Sequence, residues 1–429
     1  MTTTVSPAAP VGADEPPRPV TAPSPPLPRT RERLLSLDVF RGLTVAGMLL
    51  VNDPGNWGHI YPPLEHASWH GWTPTDLIFP FFLFIVGITT HLSLSTRAAQ
   101  GATDGEIRRQ ILRRGALIFL LGFLVNGFPF FTWGKVEGIA DPSFLDRIVD
   151  RLYHWRIMGV LQRIALAYAV AALISWRASA KRIVGVAAAL LLGYWMVMTL
   201  VPVPGEGGDF GAVLLGRPET TLAAWLDRQL LDWTRFGAGN HIWVGGVTWD
   251  PEGILSTIPA IGTALLGTLA GRWIAEPRPL GERINGLFAA GALGLMVGQM
   301  WHWSFPINKG IWTSSYVVFT AALACVVLAT IMWIVDVHQV KRWTKFFVVY
   351  GTNPTIAFVG SGILARCIYS IFKVNYAGER VSVVEGIYRT FASTGMDPRN
   401  ASLLFALLFV GFWYLVLYAL YKRRIFLKI

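Results

Sequence analysis

Charge is scarce in this chain. Asp, Glu, Lys and Arg make up 15% of its 429 residues, against about 25% in soluble domains. That shortage excludes an ordinary water-soluble fold. Cysteine is nearly missing too. Cys325 and Cys367 both sit in apolar runs, so neither a disulfide framework nor a cysteine-held metal is expected. No Gly-rich phosphate loop is present. No clean internal repeat is visible either, which weakens an inverted-repeat transporter architecture. Residues 1–32 have almost no large apolar side chains and lack the apolar core of a signal peptide. Their Pro and Ala richness reads as a disordered cytoplasmic tail. Residues 33–429 read as one transmembrane domain.

What the chain has in excess is apolar and aromatic surface: 53% hydrophobic residues, 18 Trp and 25 Phe. A bilayer core needs roughly 20 apolar helical residues, each rising about 1.5 Å. Such runs recur near 34–52, 76–96, 111–131, 157–176, 183–202, 254–274, 284–303, 313–335, 346–370 and 402–421. The expected fold is all-α and polytopic, with about ten spans in a lipid bilayer. A net charge of +11 invites a nucleic-acid partner, which we reject because the cations fall between spans. Arg97, Arg108, Arg109, Arg113 and Arg114 lie between spans 2 and 3; Arg177, Lys181 and Arg182 between 4 and 5. Arg272, Arg278 and Arg283 follow between 6 and 7, then Lys341, Arg342 and Lys345 between 8 and 9, and Lys422, Arg423, Arg424 and Lys428 at the end. The positive-inside rule then puts both termini in the cytoplasm. It puts residues 53–75, which hold no Lys or Arg, outside. The long outer loop near 203–253 contains a stretch, 223–236, that reads as an amphipathic helix on the surface.

One outer stretch, "LEHASWHGWTPTD" (64–76), sets His66, His70 and Glu65 among tryptophans at the start of span 2. Thr73, Pro74 and Asp76 fit a helix start, with Thr73 as N-cap and Asp76 as the acid three residues on. The alternative is that Asp76 orients a nearby histidine. His66 and His70 are spaced to share a helix face and hold a metal. Pro62 and Pro63 argue against regular helix there, and no metal is expected. Trp57, Trp69 and Trp72 suit the membrane–water boundary in any case.

Ionisable residues inside spans cost free energy in hydrocarbon. Span 1 carries Asp38 and Arg41 in "SLDVFRG", three apart near its inner end, where a local ion pair is the plain explanation. It ends outward at Asn52. Span 4 carries Gln162 and Arg163 in "GVLQRIALAY", with Arg156 just outside; an arginine there is expected to face a wet cavity or an anion. A polar path from one face to the other suits two classes of protein. One is a transporter or flippase of a sugar-linked substrate. The other is an enzyme that takes a donor from one side and an acceptor from the other.

Five ordered motifs favour the enzyme: "SLDVFRG" (36–42), "HASWHGWTPTDLIFPFFLFIVG" (66–87), "GVLQRIALAY" (159–168), "WDPEGILSTIPAIGTALLG" (249–267) and "PINKGIWTSSYV" (306–317). With them the chain resembles the heparan-α-glucosaminide N-acetyltransferase family, specifically its bacterial members, from about residue 34 onward. The resemblance implies a multi-span acyltransferase of the bacterial inner membrane, with acetyl-CoA as cytoplasmic co-substrate. It implies a saccharide acceptor outside, for which an amino sugar or cell-envelope saccharide is the natural guess. It also makes a homodimer plausible. His66 matches the family's active histidine and Asn52 an active-site asparagine.

On that basis His66 is expected to act as general base toward the acceptor amine. Attack by His66 itself, through an acetyl-imidazole, stays open. Asn52 would donate to the developing oxyanion, and Asp76 or Glu65 would fix the imidazole. Asp38, Arg41, Arg156, Gln162 and Arg163 are candidates for the CoA end, where phosphates need cations. Glu65, Trp69, His70, Asp250, Glu252, Asn308 and Lys309 are candidates for the acceptor pocket; the outer motifs among them read equally well as caps and turns.

Overall fold

Apolar runs too long for soluble helices become membrane-length helices. The structure, a computed structural model, describes residues 2 and 34–427. The tail read over 1–32, Thr2 apart, lies outside the described residues, as does Lys428. The helices are α1 (Leu35–Asn52), α2 (Ile78–Ala99), α3 (Asp104–Gly127), α4 (Phe144–Tyr153), α5 (Val160–Ser175), α6 (Ala180–Leu200), a single turn α7 (Gly211–Leu214), α8 (Leu222–Leu231), α9 (Thr257–Ala275), α10 (Leu280–His302), α11 (Ser314–Met332), α12 (Thr344–Thr352), α13 (Pro354–Arg366), α14 (Val383–Ala392) and α15 (Pro398–Lys422). A short antiparallel hairpin, β1 (Lys373–Tyr376) with β2 (Glu379–Ser382), precedes α14.

Among the described residues nine helices are long and apolar enough to cross a membrane, and α5 is a shorter apolar helix of the same kind. These are the ten runs seen in the sequence. Two differ from expectation. The run read over 157–176 is helical only from Val160, and residues 155–159 before it have no regular secondary structure. The run read as one span over 346–370 breaks at Asn353, between α12 and α13. Pro354 has no amide hydrogen for the ladder and disfavours helix at the residue before it. Asn353 sits there with φ −131° and is fully buried. Its amide binds the Ile425 carbonyl and the Leu427 amide.

The interior is made where small residues let backbones meet. A Cβ on Gly87 would stand 2.1 Å from the Ala264 carbonyl, and one on Gly267 2.1 Å from that of Phe84. Glycine at both positions lets α2 and α9 touch along their backbones. Around that contact pack Leu83, Ala167, Ala264, Trp312 and Tyr316. Leu293, Met296 and Met300 of α10 stay exposed, which suits lipid rather than water.

Helices α4 and α8 are amphipathic and lie outside the spans. In α4 the charged side turns inward: Arg147 donates to the Thr132 carbonyl and Arg151 to that of Gly127. Phe144 and Leu145 stay outside. The stretch read as one surface helix over 223–236 is shorter. It stops at Leu231, a 3-10 turn follows over Thr234–Phe236, and its inner face buries Ala223, Asp227 and Leu231.

Candidate active site

The second half of "LEHASWHGWTPTD" folds as a capped helix start, and the first half folds back over it. Residues 62–64 and 74–77 are 3-10 turns. Thr73 and Asp76 form a reciprocal capping box. Asp76 Oδ2 accepts the Thr73 and Ala67 amides, both at 3.0 Å. Its Oδ1 lies 2.7 Å from His66 Nδ1. The two roles left open for Asp76 are therefore both filled, one by each oxygen. A carboxylate only accepts, so His66 presents Nδ1–H to Asp76 and leaves Nε2 without that proton. Tyr316 anchors the arrangement from α11, its hydroxyl donating to the Asp76 carbonyl at 2.5 Å. The side chain of Asp76 is 2% exposed and that of His66 45%. A buried carboxylate thus holds an accessible imidazole.

His66 opens onto a cavity of about 220 Å³. Asn52 lines it from the end of α1, Glu252 and Lys309 from two loops. Thr44, Val45 and Met48 of α1, Ile78 and Phe82 of α2, Ile164 of α5, and Pro354 and Phe358 of α13 make the rest largely apolar. Along α1 the lining runs from Asn52 to Thr44, a rise of about 12 Å. The helix break at Asn353 puts the first turn of α13 on this wall.

Lys309 stands over the histidine. Its Nζ is 3.1 Å from Nδ1 and 3.3 Å from Nε2 of His66, and 3.6 Å from Asp76 Oδ1. Burial holds its ammonium below the usual lysine range, while Asp76 and Glu252 pull the other way.

Behind Glu252 lies a second charged cluster. Arg156 Nη2 binds Asp250 at 2.5 Å and Glu252 at 2.5 Å, and Nε binds Asp250 again at 2.9 Å. Burial acts to raise the Glu252 carboxyl, but Arg156 and Arg163 outweigh it and hold it below the usual range. The same carboxylates hold the Arg156 guanidinium above its own range against burial. Asp227 of α8 accepts the Asp250 amide at 3.2 Å and the Ile254 amide at 3.0 Å. A Cβ on Gly253 would stand 2.2 Å from its carboxylate. Burial pushes Asp227 up to about 7. Sequence reading missed this acid. Its signal was there: 223, 227 and 231 share one helix face, so an acid on the apolar side faced inward.

The remaining candidates are placed as follows. Arg163 is not among the residues that line the His66 cavity. Because α5 starts at Val160, Arg163 lies in the first turn, fully buried, against Ser256 and the Gly253 carbonyl and over the Trp312 ring. Gln162 beside it is buried with neither side-chain atom hydrogen-bonded. Arg156, Gln162 and Arg163 thus stand at the His66 end of the bundle. Asp38 and Arg41 stand at the other end of α1, joined at 2.8 Å.

His70 does not converge with His66. Its Nδ1 lies 3.3 Å from the Asn308 amide, and burial, then His302, lowers its proton affinity. Asn308 is fully buried and accepts the Ile311 amide, so it builds the loop that carries Lys309. Trp69 donates to the Leu215 carbonyl and packs edge-on to Trp249. The Glu65 side chain is exposed. A separate small hollow near His59 and Tyr61 shares only Val51 with this site.

Residues 33–300 match the family model for the heparan-alpha-glucosaminide N-acetyltransferase catalytic region. The chain is 29% identical over 450 residues to the mouse heparan-alpha-glucosaminide N-acetyltransferase, covering 94% of this chain and 62% of that protein. It is 28% identical over 439 residues to the human one, covering 92% and 60%. The chain thus spans about three fifths of the length of these relatives. It belongs to the heparan-alpha-glucosaminide N-acetyltransferase family.

Proposed function

We propose that this membrane protein moves an acetyl group from cytoplasmic acetyl-CoA to the amine of an amino sugar or cell-envelope saccharide on the opposite side. The observation that carries the reading is a single cavity lined by both Asn52 and His66, with Asp76 fixing the imidazole from behind. Family membership supports the reaction type. The positive-inside pattern supports the direction, since His66 lies at the end away from the basic loops. A bacterial inner membrane is the setting the motifs favour.

Acetyl transfer needs a base, an oxyanion donor and dry walls. Nε2 of His66 takes a proton from the acceptor nitrogen as that nitrogen, in its neutral amine form, attacks the thioester carbonyl. Asn52 donates its amide to the oxyanion, an effect worth about 3 kcal/mol where measured in other enzymes. The apolar wall from Thr44 to Phe358 suits the pantetheine arm. Asp38, Arg41 and the basic loops remain the candidates for the CoA phosphates. Arg156 and Arg163 instead sit against the loop that carries Glu252, Arg156 paired with Asp250 and Glu252 and Arg163 donating through Nη2 to Ser256 and the Gly253 carbonyl. Glu252 itself faces the cavity and suits the acceptor's ammonium. Asn308, Asp250, Trp69 and His70 shape the loops around it.

The test is acetyl transfer by purified protein in liposomes, with labelled acetyl-CoA, a panel of amino sugars, and His66→Ala beside the wild type. Labelled sugar from the wild type alone supports the reading. Saccharide movement that needs no acyl-CoA, and is unchanged in the variant, would point to transport and end it.

A further inference from the structure

We propose that Lys309 is the acid partner of His66, its ammonium giving the proton that the departing CoA thiolate takes up. The proposal rests on the transferase reading above and extends it to the leaving group. Near-equal distances from Nζ to the two ring nitrogens, 3.1 and 3.3 Å, put the ammonium over the imidazole, along neither in-plane lone pair. Asp76 occupies the in-plane direction of Nδ1. Nε2 therefore keeps its own in-plane direction for the acceptor while the ammonium stays beside it. His66 and Lys309 line the same cavity, so base and acid reach one reacting centre.

The chemistry favours the thiolate as the partner of Lys309. An acceptor amine arrives cationic or neutral, and an ammonium is a poor neighbour for it. Sulfur becomes an anion as the C–S bond breaks, and an ammonium suits that. Lys309 as an acyl carrier is ruled out on product stability: acetyl-lysine is an amide and would end the cycle. Burial lowers the hold of Lys309 on its proton, while Asp76 at 3.6 Å and Glu252 in the same cavity act to keep it there. The other charge bearing on it is Arg163.

The step balances. The acceptor N–H proton passes to His66 Nε2 as the C–N bond forms. The C–S bond breaks and sulfur takes a proton from Lys309 Nζ. After the products leave, water takes the in-plane proton of the imidazolium and delivers one to the Lys309 amine, since the ammonium stands over the ring and not along Nε2–H. The products are the amide and CoA thiol, with both side chains restored.

A leaving-group comparison tests this. Wild type, Lys309→Met and Lys309→Arg are assayed with glucosamine as acceptor. The donors are acetyl-CoA and S-phenyl thioacetate, whose aryl thiolate departs without a proton. Lys309→Met should lose about 100-fold with acetyl-CoA but only a few-fold with the aryl thioester, and Lys309→Arg should lose less than Met. The ratio of the two donors' rates in one sample does not depend on how much protein is folded. Equal losses with both donors would overturn the role of Lys309 while leaving the transferase reading intact. Wild type that releases thiol from neither donor would overturn both.

Discussion

Two charged clusters sit at the same end of this bundle, and they are built to opposite rules. Behind Glu252, the Arg156 guanidinium is bound by Asp250 and Glu252 together, and Asp227 caps the backbone of their loop. At His66, one carboxylate holds one ring nitrogen and the other stays open to the cavity. Saturated charge is structural: it fixes a loop and resists change. Under the transferase reading proposed above, charge left one partner short is chemical, its missing partner being the substrate. In this loop Glu252 is the meeting point, with its carboxylate bound to Arg156 from behind and bordering the cavity in front.

Substitutions can separate the two rules. His66→Ala should give the largest loss of activity, about 1,000-fold in transfer, while the thermal midpoint in detergent stays near wild type. A matching fall in midpoint would show that His66 is structural after all. Arg156→Ala should do the reverse. Leaving two buried carboxylates unpaired costs about 3–5 kcal/mol, so folded yield and midpoint should drop together. Full stability in that variant would mean the cluster is not closed to water. Asp76→Asn falls between, since one residue serves both rules. It should cost about 1 kcal/mol through the helix cap and lower transfer roughly 100-fold through the misdirected imidazole. A change in only one of the two readouts would show that the oxygens are not dividing the work.

Legibility in the sequence followed sequence distance. All ten membrane runs could be read, because hydropathy is local. So could the Thr73–Asp76 cap, and His66 lies only ten residues from its carboxylate. The partners of Arg156 are 94 and 96 residues away, so no local pattern announced that pairing. Arg156 and Arg163 were therefore assigned to phosphates on charge alone. The break at Asn353 was misread although "NP" stood in plain view, since the apolar run continues on both sides of it. The hairpin over Lys373–Ser382 and helix α4 were not anticipated. Both depend on how loops fold back on the bundle.

A pH slope in the saturated cluster gives the last comparison. Burial raises the Asp227 carboxyl from 3.8 to about 7, so between those values the folded protein holds a proton that the unfolded chain has lost. Rising pH then strips stability through that window and the loss levels off above about 7. Asp53, beside Asn52, is raised to about 7 by burial as well and acts with the same sign. Glu252 has the opposite sign, since its carboxyl is held low and its contribution is lost only as pH falls below the ordinary carboxylate range. Asp227→Asn keeps the size of the side chain and removes its titration. Thermal midpoints measured from pH 4 to 8 should therefore fall less steeply in Asp227→Asn than in wild type, with the residual slope set by Asp53 and, with the opposite sign, by His70. An unchanged slope would mean that Asp227 ionises freely, with water reaching the cluster that Arg156 closes.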